Sequence, residues 1–219
     1  MLNIDIISCL NDNYSYLLQD KETNIVAIID PSEFNPCNLE IEKKYKKLDY
    51  ILNTHHHFDH VGGNHELKKK YGAKILGFEK DKTRIPDIDI KLKENENFKI
   101  GNTSFEVIFI PGHTSGHVAF YSKNENIIFT GDTLFSLGCG KVFEGTYKQM
   151  LDSLNKFKKL PSETKIYCGH EYTKKNLEFC IKYEPNNEYL KKKRDWVNAK
   201  IKSNLPSIPI SIKEELKTN

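Results

Sequence analysis

The chain has 219 residues, with 33 Lys and Arg against 30 Asp and Glu, a net charge of +3. That length suits one domain, or one domain with a small appendage, and so even a balance excludes a dedicated nucleic-acid binder. A hydrophobic share of 38%, with 12 Phe and 11 Tyr, excludes a disordered chain, and no apolar run is long enough to span a bilayer. The N-terminal MLNIDIISCLNDNY has no basic leader and alternates like a strand. No signal or transit peptide is expected, and a cytoplasmic location is. The five cysteines, Cys9, Cys37, Cys139, Cys168 and Cys180, are widely spaced and form no CxxC, as in a reducing compartment with single buried thiols. Only two basic residues, Arg84 and Arg194, are arginine.

The apolar-rich runs Ile4–Ile7, Tyr14–Leu18 and Ile25–Ile29 predict strands, separated by turn-forming residues. Leu39–Lys47 predicts a short amphipathic helix, Tyr50–Leu52 a buried strand, Gly63–Lys70 a helix and Lys74–Phe78 a strand. Arg84–Asn97 reads as polar and irregular. Strands return at Ser104–Ile110, Val118–Ser122 and Ile127–Thr130. Apolar or aromatic residues at 147, 150, 151, 154, 157 and 160 give Tyr147–Leu160 a helical period. Lys165–Cys168 reads as a further strand. Beyond it the pattern turns helical, through Lys174–Tyr183 and Glu188–Lys202, with a short helix at Ile212–Leu216.

This is a mixed α/β chain with a helical C-terminal piece, and the period changes near residue 170. Residues 171–219 carry 11 Lys and Arg against 7 Asp and Glu, a local net of +4. The run LKKKR at 190–194 reads first as a solvated helix face. Its sharper reading is attraction of an anionic ligand.

Five of the eight histidines lie between positions 55 and 65, in a run that begins THHHFDH. The spacing HxHxDH, made by His55, His57, Asp59 and His60, arises by chance about 0.0006 times in a chain of this composition. Other parts of the chain share its form. Tyr50–Thr54 leads into His55, Phe105–Ile110 through Pro111-Gly112 into His113, Ile127–Thr130 through Gly131 into Asp132, and Ile166–Cys168 through Gly169 into His170. Alone, His113 or His170 would more often be a satisfied core histidine, and Asp132 a turn cap. Together, four strands ending in His or Asp predict one metal-binding edge of a sheet.

Five imidazoles and two carboxylates are too many for one ion of zinc-like preference, so two ions sharing a carboxylate are expected. No cysteine takes part, which disfavours a closed structural zinc site. The donor chemistry suits Zn, Fe or Mn alike. Two such ions would hold a hydroxide nucleophile beside a Lewis acid.

The motifs THHHFDHVGG, PGHTSGH, TGDTLF and CGHEYT resemble those of the metallo-β-lactamase superfamily. Within it, GDTLFSLGCGKVFEG (131–145), YCGHEYT (167–173) and EPNN (184–187) resemble the glyoxalase II, or hydroxyacylglutathione hydrolase, family. The resemblance runs from Asn11 to the end of the chain. It implies an αββα sandwich over residues 1–170 and a small helical substrate-binding domain over 171–219. It further implies one metal at His55, His57 and His113, a second at Asp59, His60 and His170, and Asp132 as the bridge, with zinc foremost. His56 and His65 fall outside the pattern, and His117 is expected to pack or hydrogen-bond beside it. The implied reaction is hydrolysis of S-D-lactoylglutathione to D-lactate and glutathione by hydroxide held at a dinuclear centre, with Asp59 and Asp132 catalytic. Lys141 and Tyr172 match the family's glutathione contacts. Phe143 stands where the family often has tyrosine, so one hydroxyl contact is lost.

The family usually continues past this C-terminus with Asn-Pro-Phe and basic residues; either the sequence is a shortened piece or the protein lacks that clamp, and a weaker hold on glutathione is expected of the 219-residue chain. A monomer acting on a small thioester is expected, with neither nucleic acid nor membrane as partner. The rival readings are a persulfide dioxygenase, with one iron and three ligands, and a lactonase, a β-lactamase or a nuclease on the same fold.

Overall fold

In Val26–Ile29 successive side chains fall on opposite faces of one sheet. Val26 and Ile28 pack with Cys37, Ile41 and Leu67, while Ala27 and Ile29 pack with Phe105, Phe120 and Phe129. A strand covered on both faces reads as a continuous apolar run. The computed structural model, which describes residues 1–219, repeats that arrangement in Asn13–Asp20, Val118–Ser122 and Ile127–Gly131. The elements are β1 (Leu2–Cys9), β2 (Asn13–Asp20), β3 (Val26–Ile29), α1 (Phe34–Lys44), β4 (Tyr50–Leu52), α2 (Phe58–Val61), α3 (Asn64–Tyr71), β5 (Lys74–Phe78), β6 (Ile90–Leu92), β7 (Asn97–Ile100), β8 (Thr103–Phe109), β9 (Val118–Ser122), β10 (Ile127–Gly131), β11 (Leu134–Phe135), β12 (Gly138–Cys139), α4 (Tyr147–Phe157), β13 (Lys165–Cys168), α5 (Thr173–Tyr183), α6 (Glu188–Lys202), β14 (Ile210–Ser211) and α7 (Ile212–Thr218).

Two six-stranded sheets, ordered β1-β2-β3-β4-β5-β6 and β14-β13-β10-β9-β8-β7, face each other across an aromatic-rich core. Helices α1 and α3 cover the outer face of the first sheet, through Cys37, Ile41 and Leu67. Phe157 of α4 and Ile212 of α7 cover the second. The result is the αββα sandwich expected from the sequence. Strands β3, β4 and β5 run parallel, as do β10 and β13, and β8 reaches the same direction through two antiparallel steps. Their C-terminal ends therefore share one edge of the sandwich.

Several elements differ from the sequence reading. Helix α1 starts at Phe34 rather than Leu39, because Pro36 falls in its first turn, where a missing N–H breaks no helical bond. The stretch read as irregular contains β6, paired with β5 through Leu76 and Ile90. The hairpin β11–β12 and strand β14 hold two residues each, too short for a period of two to show. Strand β14 also pairs with β13, so residues after 170 add a strand to the second sheet as well as the helices α5 and α6. Cys139 is exposed, unlike the buried Cys9, Cys37 and Cys168.

Candidate metal centre

The shared edge gathers all seven donors. His55 follows β4 after Asn53-Thr54, His57, Asp59 and His60 sit in or beside the single turn α2, and His113 follows β8. Asp132 and His170 follow β10 and β13. Two turns are tight enough to need glycine. Gly131 has φ +48°, and a Cβ there would collide with Thr54 and His117. A Cβ on Gly169 would drive into the Asp132 carboxylate and the His60 ring.

Three groups of ligand atoms lie within 4.8 Å of one another: Asp30, His55 and His60, and the two expected trios, His55, His57 and His113, and Asp59, His60 and His170. Asp132 lies between the two expected trios. Its Oδ1 is 3.3 Å from His60 Nε2, and its Oδ2 is 3.5 Å from His113 Nε2 and 3.2 Å from His170 Nε2. Asp59 Oδ2 lies 3.4 Å from His170 Nε2. His57 turns its Nδ1, not its Nε2, toward His113 Nε2, at 3.0 Å.

Buried polar atoms are almost always hydrogen-bonded. Here His55 Nε2, His60 Nε2 and Asp132 Oδ1 are buried and have no hydrogen-bond partner, and all three belong to the cluster. Imidazoles and carboxylates converging with orphaned lone pairs make a divalent-cation site, and the residues present fit such ions.

The electrostatics agree. Burial holds His55 well below its ordinary value, and likewise His57 and His113, so these imidazoles are neutral and available as donors. Burial opposes charge on His60 too, yet Asp132 and Asp30 hold it well above the ordinary value. Burial also opposes charge on His170, but Asp132 and Asp59 raise it to about 10. Burial opposes ionisation of Asp59 and Asp132, but His170 and His60 hold both carboxyls below the usual range. The two carboxylates thus recruit positive charge to the second trio.

A cleft of about 400 Å³ opens onto the cluster. His57, Asp59, His113, Asp132 and His170 form its floor, and Lys141, Phe143 and Tyr172 its rim. Tyr172 stacks on the His170 ring, with centroids 4.7 Å apart. Phe143 is 58% exposed and sets its ring edgewise to His57 and His113.

A family model described as "Metallo-beta-lactamase superfamily" matches residues 11–170, and one described as "Hydroxyacylglutathione hydrolase C-terminus" matches residues 171–219. A protein named hydroxyacylglutathione hydrolase from Pelagibacter ubique is 57% identical, over 100% of this chain and 91% of its own length. One of the same name from Methylococcus capsulatus is 44% identical, over 100% of this chain and 86% of its own. The chain belongs to the hydroxyacylglutathione hydrolase family of the metallo-beta-lactamase superfamily. The crystal structure of the BLEG-1 B3 metallo-beta-lactamase, 24% identical over 78% of this chain and 91% of its own, aligns with a TM-score of 0.68, which shows the shared fold.

The family's histidine motif does not by itself reveal what orients the rings. Asp30, at the end of β3, is buried, and its Oδ1 accepts from the Thr54 backbone N–H at 2.7 Å. Its Oδ2 accepts from the Thr54 hydroxyl at 2.6 Å and from His60 Nδ1 at 3.0 Å. With its proton committed to Asp30, the Thr54 hydroxyl accepts from His55 Nδ1 at 3.0 Å. One carboxylate thereby fixes rings in both trios. Asp12 accepts from His170 Nδ1 at 2.8 Å, and the Lys141 carbonyl accepts from His113 Nδ1 at 2.8 Å. Asn13 Nδ2 donates to Asp59 Oδ2 at 2.9 Å. Such partners fix the ring tautomer and leave the other nitrogen free for a metal. Asp30 carried a legible signal, since it too follows an apolar strand. Asp12 and Asn13 carried none, because they come from the β1–β2 turn and the first position of β2, far away in the chain.

The histidines outside the pattern have other partners. His117 stacks on His55 and its Nε2 accepts from the Asp132 backbone N–H at 3.0 Å, as expected of a residue packed beside the site. His56 turns away toward Asp81, 3.3 Å from its Nδ1. His65 is an exposed partner of Asp87.

Proposed function

We propose that the chain hydrolyses S-D-lactoylglutathione to D-lactate and glutathione. The observation that carries this reading is the pair of donor trios flanking Asp132 beneath a cleft whose rim holds Lys141, Phe143 and Tyr172. In this reading His55, His57 and His113 hold one ion, Asp59, His60 and His170 hold a second, and Asp132 is shared. Zinc is the metal we favour. Bound there, the ions supply a hydroxide nucleophile at neutral pH and a Lewis acid for the thioester carbonyl.

The chain's own residues do the rest. Asp59, a carboxylate at the cleft floor anchored by Asn13, hydrogen-bonds and orients the attacking water. Asp30, Asp12 and the Lys141 carbonyl keep the imidazoles aimed, so little reorganisation accompanies the reaction. Lys141 pairs its ammonium with a glutathione carboxylate, and Tyr172 lies against the tripeptide. Phe143 offers a ring face but no hydroxyl. The leaving thiolate resembles cysteine, with a pKa of about 8.5, and departs without a strong general acid. Residues 171–219 act as the substrate-side domain on the catalytic unit of 1–170. The protein acts as a cytoplasmic monomer on a small thioester, with no nucleic-acid or membrane partner.

The test is a steady-state assay with S-D-lactoylglutathione on metal-analysed protein, run with a thiol reagent and an oxygen electrode. Thiol release without oxygen uptake is expected. Oxygen uptake with glutathione persulfide, and no thiol from the thioester, would move the protein to the dioxygenase class.

A further inference from the structure

The segment that carries Lys141 and Phe143, residues 140–145, has little core of its own. Phe143 is 58% exposed. The segment is tied to the metal ligand His113 by its backbone, through Phe143 N–H to the His113 carbonyl at 3.2 Å and Gly145 N–H to the Gly112 carbonyl at 3.1 Å. A second tie ends on the Glu144 side chain. Arg84 Nη1 donates to both Glu144 carboxylate oxygens at 2.8 Å. Ser115, two residues after His113, donates its backbone N–H at 2.7 Å and its hydroxyl at 2.8 Å to Glu144 Oε2.

Arg84 is itself anchored. Its Nε donates to Asp81 Oδ1 at 3.0 Å, its Nη2 reaches the same oxygen, and Nη2 also donates to the Ser115 hydroxyl at 3.0 Å. Asp81 is fully buried and also faces His56. Arg84 therefore joins the chain after β5 to the loop after β8 and to the cleft rim. It is one of only two arginines among 33 basic residues. A planar guanidinium can serve Asp81, Ser115 and Glu144 at once, whereas an ammonium is a point donor.

We infer that Arg84, through Glu144, is a positioning residue that holds the 140–145 segment, and with it Lys141 and Phe143, in place over the His57–His113 side of the cleft. It touches neither the metal ligands nor the reacting atoms. The inference rests on the reading of Lys141 and Phe143 as substrate contacts. Burial works against charge on Glu144, yet the Ser115 N–H and Arg84 hold its carboxyl at about 2, so the pair stays ionised through the physiological range. Contacts made equally in ground and transition states appear in KM more than in kcat. Loosening the segment is therefore read mainly in KM.

The experiment compares metal-loaded wild type with Arg84→Gln, Arg84→Lys and Glu144→Gln. Hydrogen–deuterium exchange is followed at the amides of 140–145, beside KM, kcat, metal content and Tm. Arg84→Gln and Glu144→Gln should speed exchange in that segment about tenfold and raise KM about tenfold. Exchange at 50–57 and the metal content should hold steady, and kcat should stay within about threefold. Arg84→Lys should recover part of both effects. Unchanged exchange at 140–145 overturns the inference, as does a loss confined to kcat or to metal content. If the segment loosens but wild type fails to hydrolyse the thioester, the functional reading falls and the clamp stands. If wild type is active and Lys141→Ala raises KM while Arg84→Gln changes neither KM nor exchange, the clamp falls and the functional reading stands.

Discussion

The floor and the rim of the cleft are built in opposite ways. On the floor, His55 and His60 are fully buried and His113, Asp132 and His170 nearly so, and four imidazoles have the far nitrogen occupied by a fixed partner. On the rim, Phe143 is open to solvent, and Lys141 lies over its ring at 4.9 Å. Metal chemistry needs donor positions held tightly, and burial among strand ends provides that. Recognition of a flexible tripeptide needs only a few contacts on an exposed lip. Damage to the floor should therefore remove metal and rate together, while damage to the rim should leave the metal and weaken binding.

The hardest break is Asp132→Ala. It removes the oxygens that face His60, His113 and His170. Wild type should bind up to two ions per chain by elemental analysis. The variant should lose occupancy and more than about a hundredfold in rate. A wild type fully active with a single ion would sink the shared-carboxylate arrangement. Asp30→Asn is the next test, since it removes the charge that orients His60 directly and His55 through Thr54. Metal affinity measured against a competing chelator should fall about 10- to 100-fold. Affinity unchanged in that variant would mean that the rings are held by packing alone.

On the rim, Lys141→Ala should raise KM about 10-fold or more, the worth of one charge-assisted hydrogen bond, with metal content intact. Added salt should weaken binding in wild type more than in this variant. A change in kcat alone would place the glutathione carboxylate elsewhere.

A separate effect, on stability and not on activity, sits where α7 meets the β11–β12 turn. Glu215 of α7 accepts from the Leu137 N–H, in the β11–β12 turn, at 2.8 Å, and its Oε1 is buried without a partner. Burial pushes its carboxyl up to about 7, against an ordinary 4.5. An unfolded chain releases this proton above about 4.5, while the folded one keeps it to about 7. Stability is therefore lost as pH rises through that window and stays lower above it. Glu215→Gln cannot titrate. Its advantage over wild type in unfolding free energy, measured by denaturant titration, should grow as pH rises from about 4.5 to about 7, toward an order of 3 kcal/mol. A pH-independent difference would show that Glu215 ionises as easily in the fold as outside it.

The floor was legible in the sequence because its donors are short-range. Four, His55, His57, Asp59 and His60, come from six consecutive residues, and three more follow apolar strands through a glycine. Strands buried on both faces print apolar runs, so many strands were legible as well, whereas the sandwich was implied by the family resemblance. What escaped is what lies far apart in the chain or is too short to carry a period. Asp12 meets His170 across 158 positions, Arg84 meets Glu144 across 60, and β14 joins β13 with two residues. Local pattern determined which residues could bind metal and which segments could be strands. Only the tertiary structure decided that the strand ends meet at one edge, which nitrogen each ring presents, and which loop is tied over the cleft. The reason is physical: a spacing reports one turn of chain, whereas a ring's orientation is set by whatever distant group accepts its second proton.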